Sequence, residues 1–210
     1  MAKITVALFL NLLLVDAARA AAGGAAQAVP AGAHSAAALF ANEFSATVVH
    51  QPPPGIPKAQ NRLFGGPERL RVESSLGFIS MTRIFDRSKP LYLTLFPTNR
   101  TYRESVPTAI ESLARADLER YATAADGNPC AWKQEATCVA ASEEQVIGRR
   151  ARRWEAKFKN GKSGTYWVDL ELRLILRAQD PTFSFEIKDL KLAPQAAELF
   201  VPPSNYKRAK

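Results

Sequence analysis

Residues 163–192, SGTYWVDLELRLILRAQDPTFSFEIKDLKL, restrict this chain to a small set of folds. Tyr166, Val168, Leu170 and Leu172 alternate with Trp167, Asp169, Glu171 and Arg173, which is the two-residue period of a strand with one buried face. The period slips at Leu174, Ile175 and Leu176. Three adjacent apolar residues cannot share one side of a strand, so the sequence requires either a bulge or cover on both faces. Asp180 and Pro181 supply a turn. Phe183, Phe185 and Ile187 then alternate with Ser184, Glu186 and Lys188 in a second strand, and an antiparallel sheet with one wet face follows.

Upstream, residues 44–50 read as a strand, and residues 62–64, 69–73, 77–86 and 91–103 as an antiparallel meander. Gly65-Gly66-Pro67 and Arg87-Ser88-Lys89-Pro90 provide its turns. Within 91–96, Leu91, Leu93 and Leu95 occupy one face and Tyr92, Thr94 and Phe96 the other, so both faces are expected to be partly buried. Ordinary core packing accounts for that pattern, with a curved sheet lining a cavity as the alternative. Residues 146–159 give a further strand, with Trp154, Ala156 and Phe158 opposite Glu155, Lys157 and Lys159.

Helical signals are few. Ser35 is placed to cap a short helix over 36–41, with Leu39 and Phe40 as apolar contacts. Residues 107–125 form the one strong helix: Pro107 suits the first turn, and Ile110, Leu113, Ala114, Leu118 and Tyr121 make one apolar stripe. Glu111, Arg115, Asp117, Glu119 and Arg120 are assigned to the opposite, polar face. Asp126-Gly127-Asn128-Pro129 ends the helix, which is expected to lie across the sheet. The fold class is therefore α+β, mainly β.

The amino terminus reads as a secretory signal. Lys3 precedes an apolar run over 4–15, and Ala18-Arg19-Ala20 form a cleavage site, giving a signal peptide at 1–20. That run is shorter than the roughly 20 apolar residues of a membrane-spanning helix. No cysteine lies near the cleavage site to carry a lipid, so a soluble periplasmic protein is expected. Cleavage removes Lys3, Arg19 and Asp16 and takes the formal charge from +8 to +7. Residues 21–34, small and without periodicity, read as a disordered leader, and 35–210 as a single domain.

In an exported chain the two cysteines, Cys130 and Cys138, read by default as a local disulfide, which stabilises by about 2.5 kcal/mol on the chain-entropy model. Metal ligation would need further donors, and both histidines, His34 and His50, lie far away in sequence. There is no phosphate-binding glycine loop, no H-E-x-x-H helix, no G-x-S-x-G elbow and no C-x-x-C pair. The chain is thus read as a non-enzyme with no cofactor. Residues 51–58, QPPPGIPK, read as a stiff exposed connection, with partner recognition through a polyproline conformation as the alternative. Arg149, Arg150, Arg152 and Arg153 read as a solvated strand edge, with an anionic lipid or surface contact as the alternative; an exported protein rarely meets nucleic acid.

Taken in order, GRRARRW at 148–154, TYWVD at 165–169, FEIKDLKL at 185–192 and LFVPPSNYK at 199–207 resemble the lipoprotein-localisation-factor superfamily of LolA/LolB-like proteins. The last segment is similar to the "LF-x-x-P-x-x-Y" tails of a periplasmic branch of unassigned function. The resemblance covers nearly all of 36–208. It implies an unclosed, strongly curved antiparallel half-barrel with helices on its concave side, whose cavity carries acyl chains in the best-known members. The expected function is non-covalent binding of a lipid, lipoprotein acyl chain or other lipophilic ligand, with Met81, Leu93, Leu95, Trp154, Phe158 and Trp167 as candidate lining. The alternative is an envelope protein-interaction or sensor module whose cavity its own helix fills. The contact surfaces would then be residues 51–58 and the arginines of 149–153.

Overall fold

The computed structural model describes residues 38–52, 59–76, 79–105, 107–131, 133, 135–181 and 183–209. The signal peptide, the leader and most of the proline segment lie outside these residues. Twelve strands form one sheet: β1 (Phe44–His50), β2 (Gln60–Gly65), β3 (Arg69–Leu76), β4 (Ile79–Asp86), β5 (Leu91–Phe96), β6 (Thr101–Glu104), β7 (Ala136–Val146), β8 (Arg149–Phe158), β9 (Ser163–Asp169), β10 (Ile175–Gln179), β11 (Ser184–Leu192) and β12 (Lys207–Arg208). Their order across the sheet is β12-β6-β5-β4-β3-β2-β1-β11-β10-β9-β8-β7. Every pairing is antiparallel except the parallel β12–β6 contact. The sheet is long, curved and unclosed, with β12 at one edge and β7 at the other.

Between β6 and β7 lies α1 (Pro107–Tyr121), the one α-helix among the described residues. Its Ile110, Ala114, Leu118 and Tyr121 are buried in a core they share with Val48, Leu63, Val72, Phe85, Phe185 and Ile187. We call this the helix face. On the opposite face a 3-10 turn at Ala197–Phe200 brings Phe200 onto Phe64, Ile84, Leu93 and Leu95, with Leu199 and Tyr206 packed beside it. Arg71 donates to the Leu199 carbonyl, and the Arg69 guanidinium lies 4.4 Å from the centre of the Phe200 ring, so two arginines of β3 hold the tail in place. Both faces of β5 are thereby covered, as its alternation requires.

The slip at 174–176 is resolved by a bulge: the β9–β10 register shifts between Ile175 and Arg177. Leu174, Ile175 and Leu176 are all fully buried around it. Arg173, just before, takes a left-handed backbone with φ of 61°.

Several expectations are corrected. Residues 38–41 are not helical. The run 91–103 is two strands, because Pro97 to Arg100 make a turn between β5 and β6. The helix ends at Tyr121, short of 125, and Leu113 in its apolar stripe is 40% exposed. Asp117, assigned to the polar face, is only 4% exposed and points at the sheet. The run 146–159 breaks at Ile147-Gly148, where both residues have positive φ, and a strand that the alternation did not reveal, β7, precedes it. The arginine-bearing β8 is therefore an interior strand, flanked by β7 and β9.

Candidate functional site

Beneath α1 the packing is apolar but threaded with fixed polar groups. Arg83 of β4 donates to Asp117 of α1, with its two guanidinium contacts at 2.8 and 3.0 Å. The Tyr92 hydroxyl also donates to Asp117, at 3.2 Å, and burial followed by the Asp117 charge pushes the phenol well above its ordinary range. Nearby, the Asn61 amide donates to the Tyr121 hydroxyl at 3.1 Å and lies 3.0 Å from His50 Nε2. Burial, then the Arg120 charge, lowers the imidazole from its ordinary value, which favours the neutral ring, whose Nε2 can accept from the Asn61 amide in one of its two tautomers. These groups answer one another, which is what makes their burial tolerable.

The far end of the sheet is built around ion pairs. Arg150 and Arg152 of β8 both reach Glu143 of β7 at 2.9 Å, Arg153 reaches Glu155 at 3.0 Å, and Arg149 pairs with the buried Asp169 and the exposed Glu171. Each of the four arginines thus already has a carboxylate. Hydrogen bonds from Arg152 and Arg150 hold Glu143 below the usual carboxylate range. Asp169, last residue of TYWVD, also accepts from the backbone amides of Glu171 and Leu172 and fixes the tight turn after β9. Trp167 donates to Glu144 at 2.9 Å, and Tyr166 donates to Asp180 at 2.7 Å from the opposite side of the strand. Trp154 Nε1 has no partner among the described residues.

Cys130 and Cys138 form the expected disulfide, with Cα atoms 5.6 Å apart. It ties the segment after α1 to the start of β7. Lys133, inside the loop it closes, lies over the Tyr166 and Phe183 rings and donates to the Glu119 carbonyl. Burial pulls its ammonium below the ordinary lysine range.

The disulfide therefore anchors the most exposed long strand among the described residues. β7 has eleven residues, nearly all of them half-buried or exposed, and Val139 is 70% exposed. Lys159 N–H donates to the Glu135 carbonyl, and Thr137 and Val139 sit opposite Lys157 and Glu155. By alternation, the backbone groups of Cys138 and Ala140 face away from β8. The opposite edge, β12, is two residues long and consists of Lys207 and Arg208. Short strands and charged side chains, above all basic ones, are how sheets blunt their edges. β7 carries no Lys, Arg or Pro, and its devices are Glu143 and Glu144, already held by the arginines of β8 and by Trp167, and the register shift between Ala140 and Glu143.

The six residues expected to line one cavity are distributed over the sheet. Met81 and Leu95 border a groove of about 430 Å³ beside the carboxy-terminal tail, and Leu93 is buried on the tail side. Trp154 borders a different groove of about 390 Å³ with Arg152 and Arg173, and Phe158 a third of about 340 Å³ near β7. Trp167 faces Glu144 and Arg177 on the side away from Tyr166.

No family model and no curated protein matches the chain. Among solved structures, an uncharacterized conserved protein from Thermus thermophilus aligns with a TM-score of 0.53 at 12% identity over 80% of this chain and 90% of that one. The two share a fold. MucB aligns with a TM-score of 0.49 at 15% identity, over 78% of this chain and 58% of its own length. A MucA/MucB complex structure from Pseudomonas aeruginosa gives 0.47 at 16% identity, over 78% and 56%.

Proposed function

We propose that this is an exported, non-catalytic envelope protein of LolA/LolB-like fold that works by binding a protein partner, with its interior filled by its own helix. One observation carries the reading: an eleven-residue edge strand, tied down by a disulfide, presents backbone groups that are unpaired among the described residues and has no Lys, Arg or Pro, whereas the other edge is only Lys207 and Arg208. An extended segment of a partner adds there as a thirteenth strand, main-chain hydrogen bonds giving affinity and alternate side chains giving specificity. The core under α1 supports the filled interior. An acyl chain in that place would meet the Arg83–Asp117 pair and the Asn61 amide, which would lose their partners.

Binding of a lipophilic ligand is the second reading: Met81 and Leu95 both border the groove of about 430 Å³, although its floor is polar and would be desolvated by a fatty chain. Organic extraction of the purified protein followed by mass spectrometry separates the two. The partner reading expects no lipid in stoichiometric amount, and one lipid per chain would sink it. Crosslinking from β7 then tests the partner itself.

A further inference from the structure

On the tail-covered face, β2, β3 and β4 form the floor of the groove of about 430 Å³, and the carboxy-terminal tail forms one wall. The floor is made of groups that both donate and accept hydrogen bonds: the Gln60 amide and the hydroxyls of Ser75, Ser80 and Thr82. Among the described residues none of these side chains has a hydrogen-bond partner. The charged residues beside them are in a different state. Arg71 is held by Glu73 and by the Leu199 carbonyl, and Glu73 is paired with both Arg71 and Arg62, so the carboxylate is already neutralised, while Arg62, which makes one hydrogen bond to it, keeps most of its donors. The wall is apolar in character, with Leu95, Pro97, Pro203 and the ring of Tyr206. Tyr206 packs through part of its surface on the Phe64–Ile84–Phe200 cluster, which fixes the ring in place.

A polar floor of dual donor-acceptors facing an apolar ring-bearing wall matches one kind of molecule well. Each hydroxyl of a pyranose is both donor and acceptor, while the C–H side of the ring is apolar and packs on aromatic and proline surfaces. A simple anion only accepts, so it would leave the acceptor capacity of the hydroxyls and the apolar wall unused. A fatty chain would desolvate Gln60, Ser80 and Arg62 without replacing their water. The size falls within the roughly 300–1,000 Å³ of small-molecule sites.

We propose that this groove is a saccharide-binding site, with Gln60, Ser75, Ser80, Thr82 and Arg62 hydrogen-bonding ring hydroxyls and Tyr206 stacking on the sugar's apolar face. The site lies on the face of the sheet opposite α1 and does not depend on partner addition at β7.

The test is saturation-transfer difference NMR on the wild-type protein with cellobiose, maltose and N,N′-diacetylchitobiose, with inorganic phosphate titrated separately by chemical-shift perturbation. At least one disaccharide is expected to bind in the millimolar range, with the strongest transfer to its ring C–H protons. A Ser75→Ala/Ser80→Ala double variant, altering two unpartnered side chains, is expected to bind about tenfold more weakly while melting with the wild type. Tyr206→Ala is expected to abolish the ring C–H transfer. Binding of none of the three sugars overturns the proposal, as does binding of phosphate alone, or sugar binding that neither variant weakens. A reading of β7 as a partner edge survives any of these results.

Discussion

Arg83 on the sheet and Asp117 on the helix meet at 2.8 Å with the Asp117 side chain 5% exposed, so α1 is joined to the sheet by a charge pair as well as by its apolar stripe. Tyr92 adds a third member through its hydroxyl. Buried pairs of this kind are costly to assemble but far more costly to break one-sidedly, because the surviving partner stays buried and uncompensated.

Asp117→Ala is accordingly expected to destabilise the protein by about 3–5 kcal/mol in urea unfolding, since it strands the Arg83 guanidinium. Adding Arg83→Met should recover a large part of that loss. A double variant no more stable than Asp117→Ala alone would show that the stranded Arg83 charge is not the cause of the loss.

Stability should also depend on His50. Its folded pKa lies below the unfolded value of about 6.5, so the unfolded chain binds the extra proton first and stability falls as pH drops below about 6.5. Protonation would also set a ring N–H against the Asn61 amide. Denaturation midpoints at pH 7.5 and 5.5 should therefore lie further apart for wild type than for His50→Gln. Equal separations in the two proteins would remove His50 as the cause.

Arg173 occupies a left-handed backbone at φ 61° without the freedom of glycine. Arg173→Gly is expected to stabilise by about 0.5–1 kcal/mol, because the strain relieved in the folded turn exceeds the flexibility added to the unfolded chain. Thermal unfolding checks it, and a lowered midpoint would show that the arginine side chain matters more than its backbone.

Reducing the Cys130–Cys138 disulfide, or replacing both cysteines with serine, should cost about 2.5 kcal/mol and act locally. Hydrogen exchange should accelerate in residues 130–140 while the β3–β5 amides remain protected. Uniform acceleration across the sheet would mean that the bridge holds the whole fold and not one excursion.

Much of this scaffold could be read from residues. The slip at 174–176 and the stripe from Ile110 to Tyr121 each report a real element, because burial leaves a periodic trace. TYWVD is also a strand, but it is buried on both faces and ends at Asp169, so the alternation read on to Arg173 is not that of one strand with a single buried face. β7 left none: ATCVAASEEQV lies at an edge with both faces largely wet, so no period is imposed on it. Asp117 departs from its pattern for a different reason: a charge normally marks the wet face, and only the position of Arg83 across the sheet reveals the buried pair. The candidate lining residues depended on strand order. Leu95 on β5 and Trp154 on β8 lie toward opposite ends of the sheet, and nothing in either strand states how many others come between.

If β7 is a docking edge, crosslinking from it in living cells should capture the partner. With a photoactivatable residue in place of the exposed Val139, a discrete protein adduct is expected in the envelope. Ala140→Pro, added to the same chain, removes one outward N–H without touching the β7–β8 ladder, as proline permits on the solvent side of an edge strand. The adduct is then expected to disappear while the melting temperature holds. An undiminished adduct in the proline variant, or no adduct in either, would contradict a docking role for β7.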